Sequence, residues 1–117
     1  MTVIEPWQVW WANLDPTAGH EQAGKRPAVV VSSRFHLALT GGSLVSVLPL
    51  TTRERPGWIH RIAVVGRGDM GGYVITEQVR TIARTRLVGH RPAWTLTADE
   101  IDDVRRVLAK MLDLATP

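Results

Sequence analysis

Asp15-Pro16-Thr17-Ala18-Gly19-His20-Glu21-Gln22-Ala23-Gly24-Lys25-Arg26-Pro27-Ala28-Val29-Val30-Val31-Ser32-Ser33 is the stretch on which the fold turns. It opens on Pro and Gly, which supply turn dihedrals. His20 to Lys25 is polar, contains Gly24 and reads as a loop. Ala28 to Val31 is an unbroken apolar run, the pattern of a strand buried on both faces. Such a strand is a rigid platform for aiming the loop that precedes it. Within seven residues, His20 to Arg26, that loop offers an imidazole, a carboxylate, an amide, an ammonium and a guanidinium. An ordinary solvated turn has the same composition, so this segment alone decides nothing about chemistry.

Upstream, Trp7 to Leu14 is aromatic and apolar and predicts a strand, with Val9 and Trp11 on one side and Gln8, Trp10 and Ala12 on the other. Downstream, Ser33 to Gly42 predicts a helical turn around Phe35-His36-Leu37, closed by Gly41-Gly42. Ser43 to Leu50 and Trp58 to Val65 predict further strands, joined by a polar connection, Thr51 to Gly57. Gly66, Gly68, Gly71 and Gly72 break the chain before Tyr73 to Thr76. Glu77 to Ile82 alternates and predicts a half-exposed strand, with Glu77 and Val79 on one face and Gln78 and Arg80 on the other. Thr97-Ala98-Asp99-Glu100 is a capping box. Ile101, Val104, Leu108, Met111 and Leu112 then recur at helical spacing, so a helix is expected over Asp99 to Leu114. Short strands followed by one terminal helix predict a mainly β, α+β architecture: a small curved sheet or barrel with a helix packed on it.

The 117 residues fit a single domain, residues 1–117, and 44% hydrophobic content is enough for one core. With no cysteine, disulfide frameworks, thiol catalysis and Cys-based zinc sites are excluded, and a reducing cytoplasm is the expected setting. Met1 to Pro6 lacks the basic-then-apolar pattern of a signal peptide. No apolar run approaches the roughly 20 residues of a membrane span. GxSxG, Walker and HExxH patterns are absent, and no metal or cofactor is expected. Residues 1–96 carry eleven basic and six acidic side chains, whereas residues 97–117 carry three and five. Twelve of the fourteen cations are arginines, whose planar fork suits phosphate. The body therefore points to an anionic partner, nucleic acid first, although solvated faces give the same bias. Thr51-Thr52-Arg53 at a strand end suits phosphate oxygens, or a turn in which a hydroxyl caps the strand. Trp10, Trp11 and Trp58 suit base stacking, or core and dimer packing.

The order of these segments carries more than any one of them. DPTAGHEQAGKRPAVVVSS, then VSVLPLTTRERP, then TEQVRTIARTRL resembles the MazF/PemK family of toxin endoribonucleases over about residues 7–114. The resemblance implies an SH3-like small barrel of about five to seven strands with a C-terminal helix, acting as a homodimer. It implies metal-independent cleavage of single-stranded RNA at short sequences, leaving 2′,3′-cyclic phosphate and 5′-hydroxyl ends. A cognate antitoxin would wrap the dimer and block the RNA groove. Carried over residue by residue, Arg26, Thr51 and Glu21 are the catalytic candidates. His20 (also an alternative base), Gln22, Thr52, Arg53, Glu77 and Gln78 are the candidate RNA contacts, with Arg80 beside the groove. Trp7-Gln8 stands where the family has Gly-Asp, so a different opening turn is expected. His20 replaces the common Ser, which bears on cleavage preference, and Ile75 stands where one branch has an Arg. Two other readings share the fold: a gyrase-poisoning toxin like CcdB, whose aromatic-Gly-aliphatic tail is not matched by Leu114-Ala115-Thr116-Pro117, and a non-catalytic RNA-binding module.

Overall fold

A computed structural model describes residues 3–14, 24–68 and 70–114. His20, Glu21 and Gln22 lie outside the described residues.

Strand β1 (Gln8–Asn13) and β2 (Lys25–Val30) pair antiparallel, Val9 opposite Val29 and Ala12 opposite Arg26. Helix α1 (Arg34–Leu39) follows, capped by Ser33, whose hydroxyl accepts the His36 N–H at 3.1 Å. It leaves Phe35 and Leu39 exposed. Strand β3 (Leu44–Thr51) is the longest, and two short strands share its outer edge. β6 (Arg80–Ala83) pairs with residues 44–47, and β5 (Gly72–Ile75) with Leu50 and Thr51. β4 (Arg61–Val64) completes a hairpin with β5. β1 is divided the same way between β7 (Leu87–Val88) and β8 (Trp94–Thr95). Helix α2 (Ala98–Met111) is the last element.

The main ladder runs β4-β5-β3-β2-β1-β7 and does not return on itself. The expected mainly β fold, a small curved sheet or barrel with a C-terminal helix, is what forms, with eight strands where five to seven were expected and with the sheet left open. Closure requires the two terminal strands to pair. Here the long strands spend their outer edges on several short partners, and β4 and β7 remain at opposite ends. β7 and β8 are two residues each, too short to leave a periodic signal in sequence.

Two apolar layers line the two sides of the sheet. Trp10, Ala12, Leu14, Ala28, Val30, Val45, Val47 and Ile82 form one, with Ile4 and Leu37 against it. Val9, Val29, Leu48, Leu50, Val64 and Val74 form the other, under Val104, Ile101 and Leu108 of α2. Ala28, Val29 and Val30 are fully buried, as expected of a strand covered on both sides. Trp10 belongs to the core and Trp11 is 36% exposed.

The capping box forms: Thr97 accepts the Glu100 N–H at 3.2 Å and Glu100 accepts the Thr97 N–H at 2.9 Å. Glu100 is buried, and its second oxygen accepts the Val65 N–H at 2.8 Å, fastening the helix to the end of β4. The helix stops at Met111, short of the expected Leu114, and Met111 and Leu112 face solvent instead of the core.

The opening turn is built by Trp7 and Gln8. Trp7 has φ 69°, a left-handed backbone that costs a non-glycine residue roughly 1–2 kcal/mol. Its indole packs into the layer beneath α2, with the Arg105 guanidinium 5.3 Å from the ring. Burial of so large a ring offsets the strain. The Gln8 carboxamide oxygen accepts both the Glu5 N–H (2.9 Å) and the Trp10 indole N–H (3.0 Å), closing the turn.

Candidate functional site

The β2–β3 ladder ends at Ala28 opposite Pro49. Pro27 and Pro49 have no N–H to extend it. Continuing the same register by two residues places Arg26 opposite Thr51. The strands part there, and a cleft of about 80 Å³ opens between them, lined by Arg26, Pro27, Leu50, Thr51, Thr52, Met70, Gly71 and Gly72.

Thr51 is buried at the end of β3. Its hydroxyl oxygen accepts the Arg53 N–H at 3.1 Å, so the strand-capping turn expected as an alternative is what forms. Accepting that bond uses a lone pair and leaves the hydroxyl hydrogen as a donor. The turn carries Thr52 and Arg53 outward, and both are exposed.

The far wall of the cleft is backbone. A Cβ on Gly72 would lie 2.6 Å from the Thr51 carbonyl oxygen, and one on Gly71 would lie 2.4 Å from that of Val65. Only glycine permits this approach. Sequence reading treated the glycine run as a break between strands and missed this wall, along with Met70. The signal was adjacent Gly71-Gly72 immediately before an apolar strand, which marks close backbone approach as well as a turn.

The Arg80 Nη1 donates to the Leu14 carbonyl at 3.2 Å. Arg86 Nη1 donates to the Asn13 carbonyl at 3.5 Å, and the Leu14 N–H to the Gly24 carbonyl at 2.9 Å. These contacts brace both stems of the segment that carries His20, Glu21 and Gln22.

Glu77 and Gln78 sit elsewhere. The strand expected over Glu77–Ile82 begins only at Arg80, so the predicted alternation of faces at Glu77, Gln78 and Val79 does not hold. Buried Thr76 peels the chain away: its hydroxyl donates to the His60 carbonyl at 2.6 Å, and the Gln78 N–H donates to the Ile75 carbonyl at 3.2 Å. The Glu77 carboxylate lies 3.5 Å from Arg61 Nη2 and 3.9 Å from His60 Nε2. The strand expected from Trp58 likewise begins only at Arg61. Trp58 and His60 belong to turns in which the Trp58 N–H meets the Arg55 carbonyl and the Arg61 N–H meets the Trp58 carbonyl. The structure thus gathers Arg26, Thr51 and Thr52 at one end of the β4–β5 hairpin. It sets Glu77 at the other end, with Trp58, His60 and Arg61.

Comparison with known proteins places this arrangement in a family. Residues 5–112 match the family model of the PemK-like, MazF-like toxins of type II toxin–antitoxin systems. The chain is 34% identical over 95 residues to the endoribonuclease toxin MazF of Escherichia coli K12, covering 81% of each protein. It is 31% identical over 115 residues to endoribonuclease MazF9 of Mycobacterium tuberculosis, covering 92% of this chain and 94% of that one. A crystal structure of MazF from Deinococcus radiodurans superposes with a TM-score of 0.81 at 29% identity, over 97% of this chain and 99% of that one. A MazE–MazF structure from the same organism superposes with a TM-score of 0.76 at 28% identity, over 98% of this chain and 100% of that one. By sequence and by fold, the chain belongs to the PemK-like, MazF-like family of toxins of type II toxin–antitoxin systems.

Proposed function

We propose that this toxin endoribonuclease cleaves single-stranded RNA, at short sequences and without metal, through attack by the neighbouring 2′-hydroxyl. The observation that supports it best is the parting of β2 and β3, which puts Arg26 and Thr51 on one cleft. The 2′-oxygen bonds to phosphorus and the bond from phosphorus to the 5′-oxygen breaks. The 2′ proton goes to a base and the leaving 5′-oxygen takes a proton, giving 2′,3′-cyclic phosphate and 5′-hydroxyl ends. The nucleophile is already positioned within the substrate, so much of the entropic barrier is absent.

Arg26 holds the nonbridging oxygens as charge builds on phosphorus, since a permanently charged guanidinium is a better electrostatic clamp than a proton shuttle. Thr51 donates its hydroxyl hydrogen to the phosphate. Glu21 is the base or the group that orients Arg26, and His20 is the alternative base. Gln22, Thr52, Arg53, Glu77 and Gln78 contact RNA, whose unstacked bases are read on their Watson–Crick edges. The toxin works in the cytoplasm as a homodimer, and its antitoxin silences it by covering the groove.

Incubating the purified protein with a long RNA in EDTA and mapping the ends by primer extension tests this. Discrete cuts are expected, and they are lost in Arg26→Ala. Uncut RNA, or cutting unchanged by Arg26→Ala, would sink the proposal.

A further inference from the structure

Between β3 and β4 the chain exposes two large apolar side chains, Trp58 at 45% and Ile59 at 80%. Trp58 stacks on His60, ring centroids 5.0 Å apart and planes 23° from parallel. Two guanidiniums lie against the same indole, Arg61 at 5.1 Å and Arg55 at 5.4 Å from its centroid. The Nε atoms of both arginines are buried and have no hydrogen-bond partner among the described residues. The Arg61 side chain is only 9% exposed. A buried N–H left unpaired costs about 1–3 kcal/mol, so each of the two marks a donor that awaits an acceptor.

The backbone beneath is pinned. The Thr76 hydroxyl donates to the His60 carbonyl at 2.6 Å, and the Arg61 N–H to the Trp58 carbonyl at 3.3 Å. The backbone that carries the indole is therefore held in place before any ligand arrives. It also lies within reach of the cleft. Thr51 pairs with Tyr73, Tyr73 pairs with Ala63, and Arg61 is two residues further along β4. Two strand spacings and two residues of rise amount to roughly 12 Å, a gap that one short RNA segment bridges.

We propose that Trp58 is the stacking platform for an unstacked RNA base flanking the cut, and that the Nε–H groups of Arg55 and Arg61 donate to the phosphate beside that base. The inference rests on the ribonuclease reading above and adds a recognition subsite to it. An aromatic face accepts any base, with a preference set by stacking area, so the subsite tunes preference at one position without dictating it. A small rotation of the exposed indole, a motion of picoseconds to nanoseconds, opens the two Nε–H groups to an incoming oxygen. Glu77 pairs with Arg61 and holds that guanidinium under the ring.

The test compares wild type, Trp58→Ala and Trp58→Phe. Affinity is measured by anisotropy on an RNA made uncleavable by a 2′-deoxy substitution at the mapped cut, and base frequencies around the cuts are read from a long RNA. Trp58→Ala is expected to weaken binding about 5- to 150-fold and to flatten the preference at one flanking position. Trp58→Phe keeps most of both, because a smaller ring still stacks. Trp58→Ala with unchanged affinity and base frequencies would overturn the platform. So would a loss of thermal stability and turnover with base frequencies unchanged, which marks a structural residue. Weaker inhibition by the antitoxin with RNA binding intact assigns Trp58 to a protein interface and also overturns it. Failure of the wild type to cut any RNA is a different result, because it removes the ribonuclease reading itself.

Discussion

The two ends of the β4–β5 hairpin are built on opposite principles. At the Gly72 end the wall is main chain, glycine against the Thr51 carbonyl, with no side chain able to enter. At the Ile75 end the surface is all side chain: Trp58, His60, Arg61 and Glu77, stacked or paired and partly open to solvent. A main-chain wall fixes distances and tolerates no substitution. A side-chain surface is rewritten by single substitutions without disturbing the backbone. Chemistry common to a family suits the first kind of end, and preference that differs from one toxin to the next suits the second.

The comparison is broken most directly at the cleft. Arg26→Ala removes the guanidinium proposed to face the charge developing on phosphorus. Turnover is expected to fall about 100- to 1000-fold, or about 2.7–4 kcal/mol of transition-state stabilisation, measured on a synthetic RNA carrying one mapped site. A drop in affinity with turnover preserved would put Arg26 among the binding groups and leave the glycine-walled end without its catalytic role.

Next in size is an effect that both ends share. Glu100 accepts two backbone N–H groups from a buried position, one in its own capping box and one from Val65 at the end of β4. Glu100→Ala is expected to cost about 2–3 kcal/mol in urea denaturation, since hydrogen bonds to a charged group are the strong ones and both donors lose their partner. Because β4 underlies the whole hairpin, RNA affinity and turnover should fall together near the midpoint temperature. A selective loss of one function would show that the two ends are fastened separately.

Legibility followed the same division. The capping box, the buried run of β2 and the early strands are local patterns, and Thr97, Glu100 and Ala28 to Val30 stand where those patterns put them. Motif order likewise pointed to Arg26 and Thr51, which share the cleft. What sequence could not carry is what depends on a distant partner. Gly71 and Gly72 are visible as glycines, but the carbonyls they approach belong to β3 and β4. Glu77 to Val79 alternates like a strand, yet the Thr76 hydroxyl bond to the His60 carbonyl, made across the hairpin, turns the chain out first. The open ladder has the same origin. Whether β4 and β7 meet is decided by how β3 and β1 divide their edges among four short strands.

Gly72→Ala tests the main-chain wall itself. A Cβ 2.6 Å from the Thr51 carbonyl oxygen requires one of the two strands to move. Overpacking of this kind costs about 1–3 kcal/mol of stability. Thr51 is the residue displaced, so the variant should lose turnover while its KM for RNA changes little. The opposite split, an altered KM with intact turnover, is the signature expected only at the Trp58 end.

The smallest effect is expected from Glu77→Gln, and it probes whether the side-chain end is as tolerant as its construction implies. The carboxylate is 31% exposed as a side chain and stands 3.5 Å from Arg61 and 3.9 Å from His60. Partly solvated ion pairs at such distances contribute about 0–1 kcal/mol, so the thermal midpoint should hardly move. The amide keeps the outline and a hydrogen-bonding capacity of the acid but removes its charge. The Arg61 guanidinium then presents its full charge to RNA, so binding should tighten at low salt and its salt dependence steepen. Base frequencies at one position around the cut should change as well, because an amide both donates and accepts where a carboxylate only accepts. Stability unchanged while salt dependence and base preference shift is the behaviour of a surface built from replaceable side chains. A large loss of stability would instead make this end as rigidly specified as the glycine wall, and the contrast between the two ends would disappear.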